Sequence, residues 1–130
     1  MKVNQILETC LYVDDLDAAK DFYTVVLGLK VYSRSENRHL FFRCGNQMLL
    51  LFNPGETSKK ITEVPVHGAN GPGHVAFQIK ASEISAWRDH LKQNDVEIES
   101  EIDWPKGGYS IYFRDPAGNS LELASVGIWG

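Results

Sequence analysis

Glu8, His74 and Glu122 are residue types that bind cations or move protons, and each lies in a run that alternates apolar and polar residues. Side chains alternate across a strand, so Glu8 shares a face with Cys10 and Tyr12, His74 with Ala76 and Gln78, and Glu122 with Ser120 and Ala124. The opposite faces carry Leu7, Leu11 and Val13, then Val75, Phe77 and Ile79, then Leu121 and Leu123. Each strand therefore has one apolar face suited to covering by a helix and one mixed face that holds the chemistry. Two carboxylates brought together with an imidazole would push one carboxyl pKa up, whereas a divalent cation removes the conflict. Carboxylate and imidazole ligands suit Mn, Fe(II), Co, Ni or Zn, and the lack of thiolate argues against a structural zinc knot. Three protein ligands leave positions for water or substrate, which is the pattern of a catalytic site.

The elements that must position these residues form an internal repeat. After the opening strand, "DDLDAAKDFYTVVLGL" reads as a helix with Asp14 or Asp15 as its cap and Gly28 as its stop. The runs "LKVYSR", "RHLFFRC" and "QMLLLFN" then read as strands. A Gly-, Pro- and polar-rich connector follows, with no sustained period. Beyond it "GHVAFQI" is a strand and "SEISAWRDHLKQN" a helix capped by Ser82, with Ile84, Trp87 and Leu91 as its buried stripe. "VEIESEI", "YSIYFRD" and "NSLELAS" are strands, the last two joined by the turn "DPAGN". The order is β-α-β-β-β twice: a module over about 5–53, a connector over about 54–72 and a second module over about 73–125, in one domain of 130 residues. Overlaying the modules pairs Glu8 with His74, Leu49 with Glu122, and Phe42-Arg43 with Phe113-Arg114. The expected fold is α+β, a curved mixed sheet around a cleft with the helices on its outer face.

Composition excludes several classes of function. With 43% hydrophobic residues the chain can bury a core, and a formal net charge of -4 without a basic run excludes binding to nucleic acid through phosphate neutralisation. The start lacks a signal-length apolar core and no segment could cross a bilayer as a helix, so the expectation is a cytoplasmic protein without a membrane partner. Cys10 and Cys44 stand in no metal-like spacing and read as reduced thiols.

The segments "VDDLDAAKDFYTVVLGL", "GPGHVAF" and "YFRDPAGNSLEL", in this order on a duplicated β-α-β-β-β frame, resemble the vicinal oxygen chelate superfamily, which includes glyoxalase I, bleomycin- and fosfomycin-resistance proteins and extradiol dioxygenases. The resemblance runs from about Ile6 to Ala124. It implies a divalent metal held by Glu8, His74 and Glu122, with Glu122 or Glu8 as the proton-transfer group. Glu8 stands where the family usually has His or Gln, and the fourth-strand ligand of glyoxalase I falls on Leu49, so three ligands remain. A tyrosine that helps hold the phosphonate in fosfomycin enzymes matches Tyr112, and "PKGGY" is similar to a Lys-Gly-Gly loop at the site's edge, which brings in Lys106. Arg43 and Arg114 are planar forks for an anionic substrate, and Tyr12 lies on the same strand face as Glu8. The resemblance thus implies a homodimeric, metal-dependent, glyoxalase-like lyase or isomerase acting on a small oxygen-chelating substrate. The rival functions are a metal-free drug- or metabolite-binding protein of the bleomycin-resistance type and a fosfomycin-type thiol transferase.

Overall fold

The computed structural model describes residues 1–130, and the chain divides into two compact units, Met1–Pro72 and Gly73–Gly130. In the first, β1 (Glu8–Tyr12) leads into α1 (Leu16–Val25). Asp15 rather than Asp14 caps the helix: its backbone is extended and its carboxylate accepts from the Ala18 amide at 3.0 Å. Gly28, at φ +67°, makes the left-handed turn that lets the Leu29 amide reach the Tyr23 carbonyl at 3.0 Å. Then come β2 (Lys30–Ser35), β3 (His39–Cys44) and β4 (Gln47–Phe52). The connector, expected to carry no element, opens with one helical turn, α2 (Pro54–Thr57). Asn53 caps it by accepting from the Gly55 amide at 3.0 Å, and Pro54 sits where a missing N–H costs nothing.

The four strands form a mixed sheet in the order β1-β4-β3-β2, with β1 parallel to β4 and the other pairs antiparallel. Its core face joins Leu11, Leu40, Phe42, Leu49 and Leu51 to Leu16, Ala19, Tyr23 and Val26. Tyr23 is fully buried, its ring 5.6 Å from that of Phe42. Each buried Leu, Val or Phe side chain contributes about 1.5–3 kcal/mol by leaving water.

The second unit repeats the plan with β5 (His74–Ile79), α3 (Ile84–Gln93), β6 (Ser100–Asp103), β7 (Tyr109–Arg114) and β8 (Ser120–Ser125). Its sheet runs β5-β8-β7-β6, with β5 parallel to β8. Ile79, Ile111, Phe113, Leu121, Leu123 and the α3 residue Leu91 are its buried apolar residues. Ser82 does not cap α3. It lies in a 3-10 turn, Ala81–Glu83, where the Glu83 carboxylate accepts from the Lys80 amide at 3.1 Å, so the helix starts at Ile84, one residue later than a Ser82 cap would give. Ile84 and Trp87 are half-buried, leaving Leu91 as the one fully covered residue of the expected stripe. No helix is long and apolar enough to cross a membrane.

Strand register corrects the overlay of the two modules. Arg43 faces Met48 and Arg114 faces Ser120, while Glu8 faces Met48 and His74 faces Ser120. Leu49 is therefore the counterpart of Leu121, on the core face and 2% exposed, and Leu50 is the counterpart of Glu122. The longer turn before β8 shifts the match by one residue, and a one-residue slip moves every side chain to the other face.

Candidate active site

On the β8 face opposite the apolar core, Glu122 lies between Ala76 of β5 and Tyr112 of β7. It is a buried carboxylate, 6% exposed, and both of its oxygens are engaged. Oε1 accepts from the Ser110 hydroxyl at 2.5 Å, and Oε2 stands 3.2 Å from Nε2 of His74. The other imidazole nitrogen, Nδ1, is 3.0 Å from the Ser120 carbonyl. A carbonyl only accepts, so Nδ1 carries the proton, and in the neutral ring Nε2 then holds a lone pair. A lone pair and a carboxylate oxygen facing one another need a cation between them. A proton satisfies this by making imidazolium, and a metal ion satisfies it with both groups as ligands. An imidazole whose far nitrogen donates to a backbone carbonyl, beside a carboxylate that is itself hydrogen-bonded, has the outer support that metal-ligating pairs require. The donor chemistry thus fits a divalent ion.

The turn before β8 holds His74 in place. Asp115 Oδ1 accepts from the amides of Ala117 and Asn119 at 3.0 and 2.8 Å, closing "DPAGN" on itself. The buried Asn119 side chain then accepts from the Gly73 amide at 2.7 Å, and the Ser120 amide donates to the Gly73 carbonyl at 2.9 Å. This clasp seizes the residue before His74 and sets the parallel pairing of β5 with β8. The turn is legible in the sequence; its grip on Gly73 is not.

Tyr112 stacks near His74, ring centroids 6.3 Å apart at 25°. Burial first raises its phenol pKa above the usual 10, a hydrogen bond with Ser110 next lowers it, and the neighbouring Glu122 carboxylate raises it again. Arg114 is committed elsewhere: its Nε and Nη2 donate to Glu99 at 2.7 and 3.1 Å, and its Nη1 donates to the Gly118 carbonyl at 3.0 Å. That pairing holds the Glu99 carboxyl below its usual range and the guanidinium above its own. Lys106 is exposed in the β6–β7 turn. Trp104, a residue without discriminating signal in the sequence, donates its indole N–H to Ser110 at 2.8 Å.

The remaining sequence-derived candidates belong to the first unit. Glu8 is exposed at the start of β1, and Cys10 follows on the same face, also exposed. Tyr12 ends the row, its hydroxyl 2.7 Å from Nδ1 of His67. Burial first, and Cys10 next, raise the Tyr12 pKa. The Arg43 guanidinium lies 5.2 Å over the Tyr32 ring, a cation–π contact. Tyr12, His39, Phe41, Phe52 and His67 make a continuous aromatic cluster, with His39 stacked on Phe41 at 4.0 Å. Neither unit by itself gathers three His, Cys, Asp or Glu side chains into one cluster.

A duplicated β-α-β-β-β module with an imidazole–carboxylate pair on its second sheet is the architecture of a glyoxalase-type protein. The chain belongs to the Glyoxalase/Bleomycin resistance protein/Dioxygenase superfamily, whose model matches residues 2–123. A crystal structure of lactoylglutathione lyase from Agrobacterium tumefaciens is 42% identical, with a TM-score of 0.95 over 100% of this chain and 99% of that one. The lactoylglutathione lyase of Escherichia coli O157:H7 is 27% identical over 92% of this chain and 90% of its own. The metallothiol transferase FosB of Staphylococcus saprophyticus is 30% identical over 85% of this chain and 70% of its own.

Proposed function

We propose that this protein is a metal-dependent, glyoxalase-like enzyme, working as a homodimer, that moves a proton between adjacent oxygen-bearing carbons of a small thiol adduct. The observation that carries this reading is His74 Nε2 and Glu122 Oε2 facing one another at 3.2 Å. The names of the relatives supply the substrate class: a lactoyl thioester and the hemithioacetal of a 2-oxoaldehyde are isomers that differ by a hydrogen moved from one carbon to its neighbour. A divalent ion held by His74 and Glu122 would supply a Lewis acid for the two adjacent oxygens.

The chain's own residues do the rest. His74 is oriented by the Ser120 carbonyl, so Nε2 keeps one direction. Glu122 Oε1 is tied to Ser110, which leaves Oε2 as the oxygen that would join His74 in holding the ion and, once released from it, could take a proton from carbon and return it to the next carbon. Tyr112 walls the site beside His74 and remains a hydrogen-bond donor at neutral pH, because burial raises its pKa. Lys106 is substrate-facing in this proposal, and Arg114 would have to exchange its Glu99 partner to bind an anion.

Metal analysis of protein purified without added metal, with melting curves on adding Mn, Fe(II), Co, Ni or Zn, tests the reading. About one equivalent per chain, or a melting shift absent in His74→Ala, together with turnover of methylglyoxal and glutathione to a thioester, is expected. No ion bound to wild type would overturn it and leave the pair as imidazolium and carboxylate in a ligand-binding protein of the bleomycin-resistance type. The FosB relatives favour a second reading, addition of a thiol to the epoxide of fosfomycin. Loss of fosfomycin in the presence of glutathione or bacillithiol, without thioester formation, would select it.

A further inference from the structure

Trp104 and Ser110 stand outside the ligand set, yet both are joined to Glu122 by hydrogen bonds whose direction chemistry fixes. An indole N–H can only donate, so Trp104 Nε1 donates to Ser110 Oγ at 2.8 Å. The Ser110 hydroxyl has one proton, and a carboxylate can only accept, so that proton points to Glu122 Oε1 at 2.5 Å. Ser110 is 0% exposed, so its hydroxyl is shielded from bulk solvent. Trp104 is itself fixed by the β6–β7 turn, since its backbone amide donates to the Gly108 carbonyl and its carbonyl accepts from Gly107, each at 3.0 Å.

We infer that Trp104 and Ser110 are positioning residues: a one-directional relay that occupies Glu122 Oε1, stops the carboxylate from rotating and presents Oε2 alone beside His74. The inference rests on the metal-site reading for its consequence, which is that Glu122 offers one oxygen rather than two to the ion. With the relay cut, Oε1 is released, and the carboxylate turns to offer both oxygens or swings away. The turn that carries Lys106 is thereby coupled mechanically to the geometry of Glu122.

Two measurements separate the relay from the metal site. In metal-free protein, the 15N–1H indole resonance of Trp104, identified by its loss in Trp104→Phe, is expected to move in Glu122→Gln, while those of Trp87 and Trp129 stay in place. An unmoved Trp104 signal overturns the relay whether or not the protein binds metal. In protein titrated with Co(II), Ser110→Ala is expected to weaken binding about 10–100-fold, as loss of an outer-shell partner does, and to change the visible Co(II) absorption by altering coordination number. Trp104→Phe should act in the same direction by less, and the double variant should match Ser110→Ala, because Trp104 works through Ser110. Ser110→Thr, which keeps the hydroxyl, should restore the wild-type Co(II) spectrum. Co(II) affinity and spectrum in Ser110→Ala identical to wild type would overturn the inference while leaving the metal site intact; no Co(II) binding by wild type would overturn the metal site instead.

Discussion

Glu122 draws its character from its neighbours more than from its own chemistry. Glu122→Gln keeps the shape but changes Oε2 from an anionic base to one face of an amide, so turnover of a hemithioacetal should fall by roughly 10²–10⁴-fold. Residual activity within tenfold of wild type would remove Glu122 from proton transfer. His39 offers a test away from the site. It is half-buried, and its Nδ1 accepts a hydrogen bond from the Arg38 guanidinium at 2.6 Å. Burial first, then the Arg38 charge, lower its pKa from 6.5. The folded state therefore binds a proton less readily than the unfolded chain. As pH falls from 6.5 towards the depressed value, the unfolded state gains protons first and stability declines. NMR titration of the His39 ring should give a midpoint below 6.5, and Arg38→Ala should raise it; an unchanged midpoint would show that the guanidinium has no effect on the ring.

Turns hold the chemistry-bearing strands in register. Gly108 has φ +90°, and a Cβ there would lie 2.2 Å from Ile128 Cγ2 and 2.8 Å from the Ile128 nitrogen. Gly28 has φ +67° with nothing near. Gly28→Ala should therefore cost only the left-handed backbone penalty, about 1–2 kcal/mol, whereas Gly108→Ala adds a clash with backbone. Urea unfolding should rank Gly108→Ala clearly below Gly28→Ala, and equal losses would mean that Ile128 moves aside freely. The "DPAGN" clasp makes a second prediction. Asn119→Ala strips buried partners from Asp115 and from the Gly73 amide, which should cost about 1–3 kcal/mol for each group left unpaired. It should also weaken metal binding, because the residue ahead of His74 loses its anchor. Stability loss with unchanged affinity would limit the clasp to folding.

Each unit has its own sheet and its own core. The first unit leaves Ile6, Leu7 and Tyr32 at 69%, 74% and 63% exposure, and Leu7 lies on the parity of the apolar side of β1. Adjacent apolar side chains of this size at the start of the first strand are suited to a second copy of the chain. We expect light scattering to give twice the chain mass of 14.6 kDa, and Leu7→Asp to halve it. A wild-type mass of one chain would overturn the homodimer.

Several features were legible from one dimension because their causes are local. Alternation placed Glu8, His74 and Glu122 opposite the apolar residues, and Asp15, Gly28 and "DPAGN" announced their caps and turns, since each acts on backbone groups a few residues away. The duplication was legible for the same reason. Leu49 was misplaced because register depends on how two strands meet across a turn, and that turn differs in length between the modules. Trp104 and Ser110 gave no signal because their partners lie across hairpins, and the grip of Asn119 on Gly73 gave none because the two are 46 residues apart. The sequence determined which residue types face the chemistry. Tertiary structure decided which atoms point at one another, because hydrogen-bond direction depends on distances that only packed strands define.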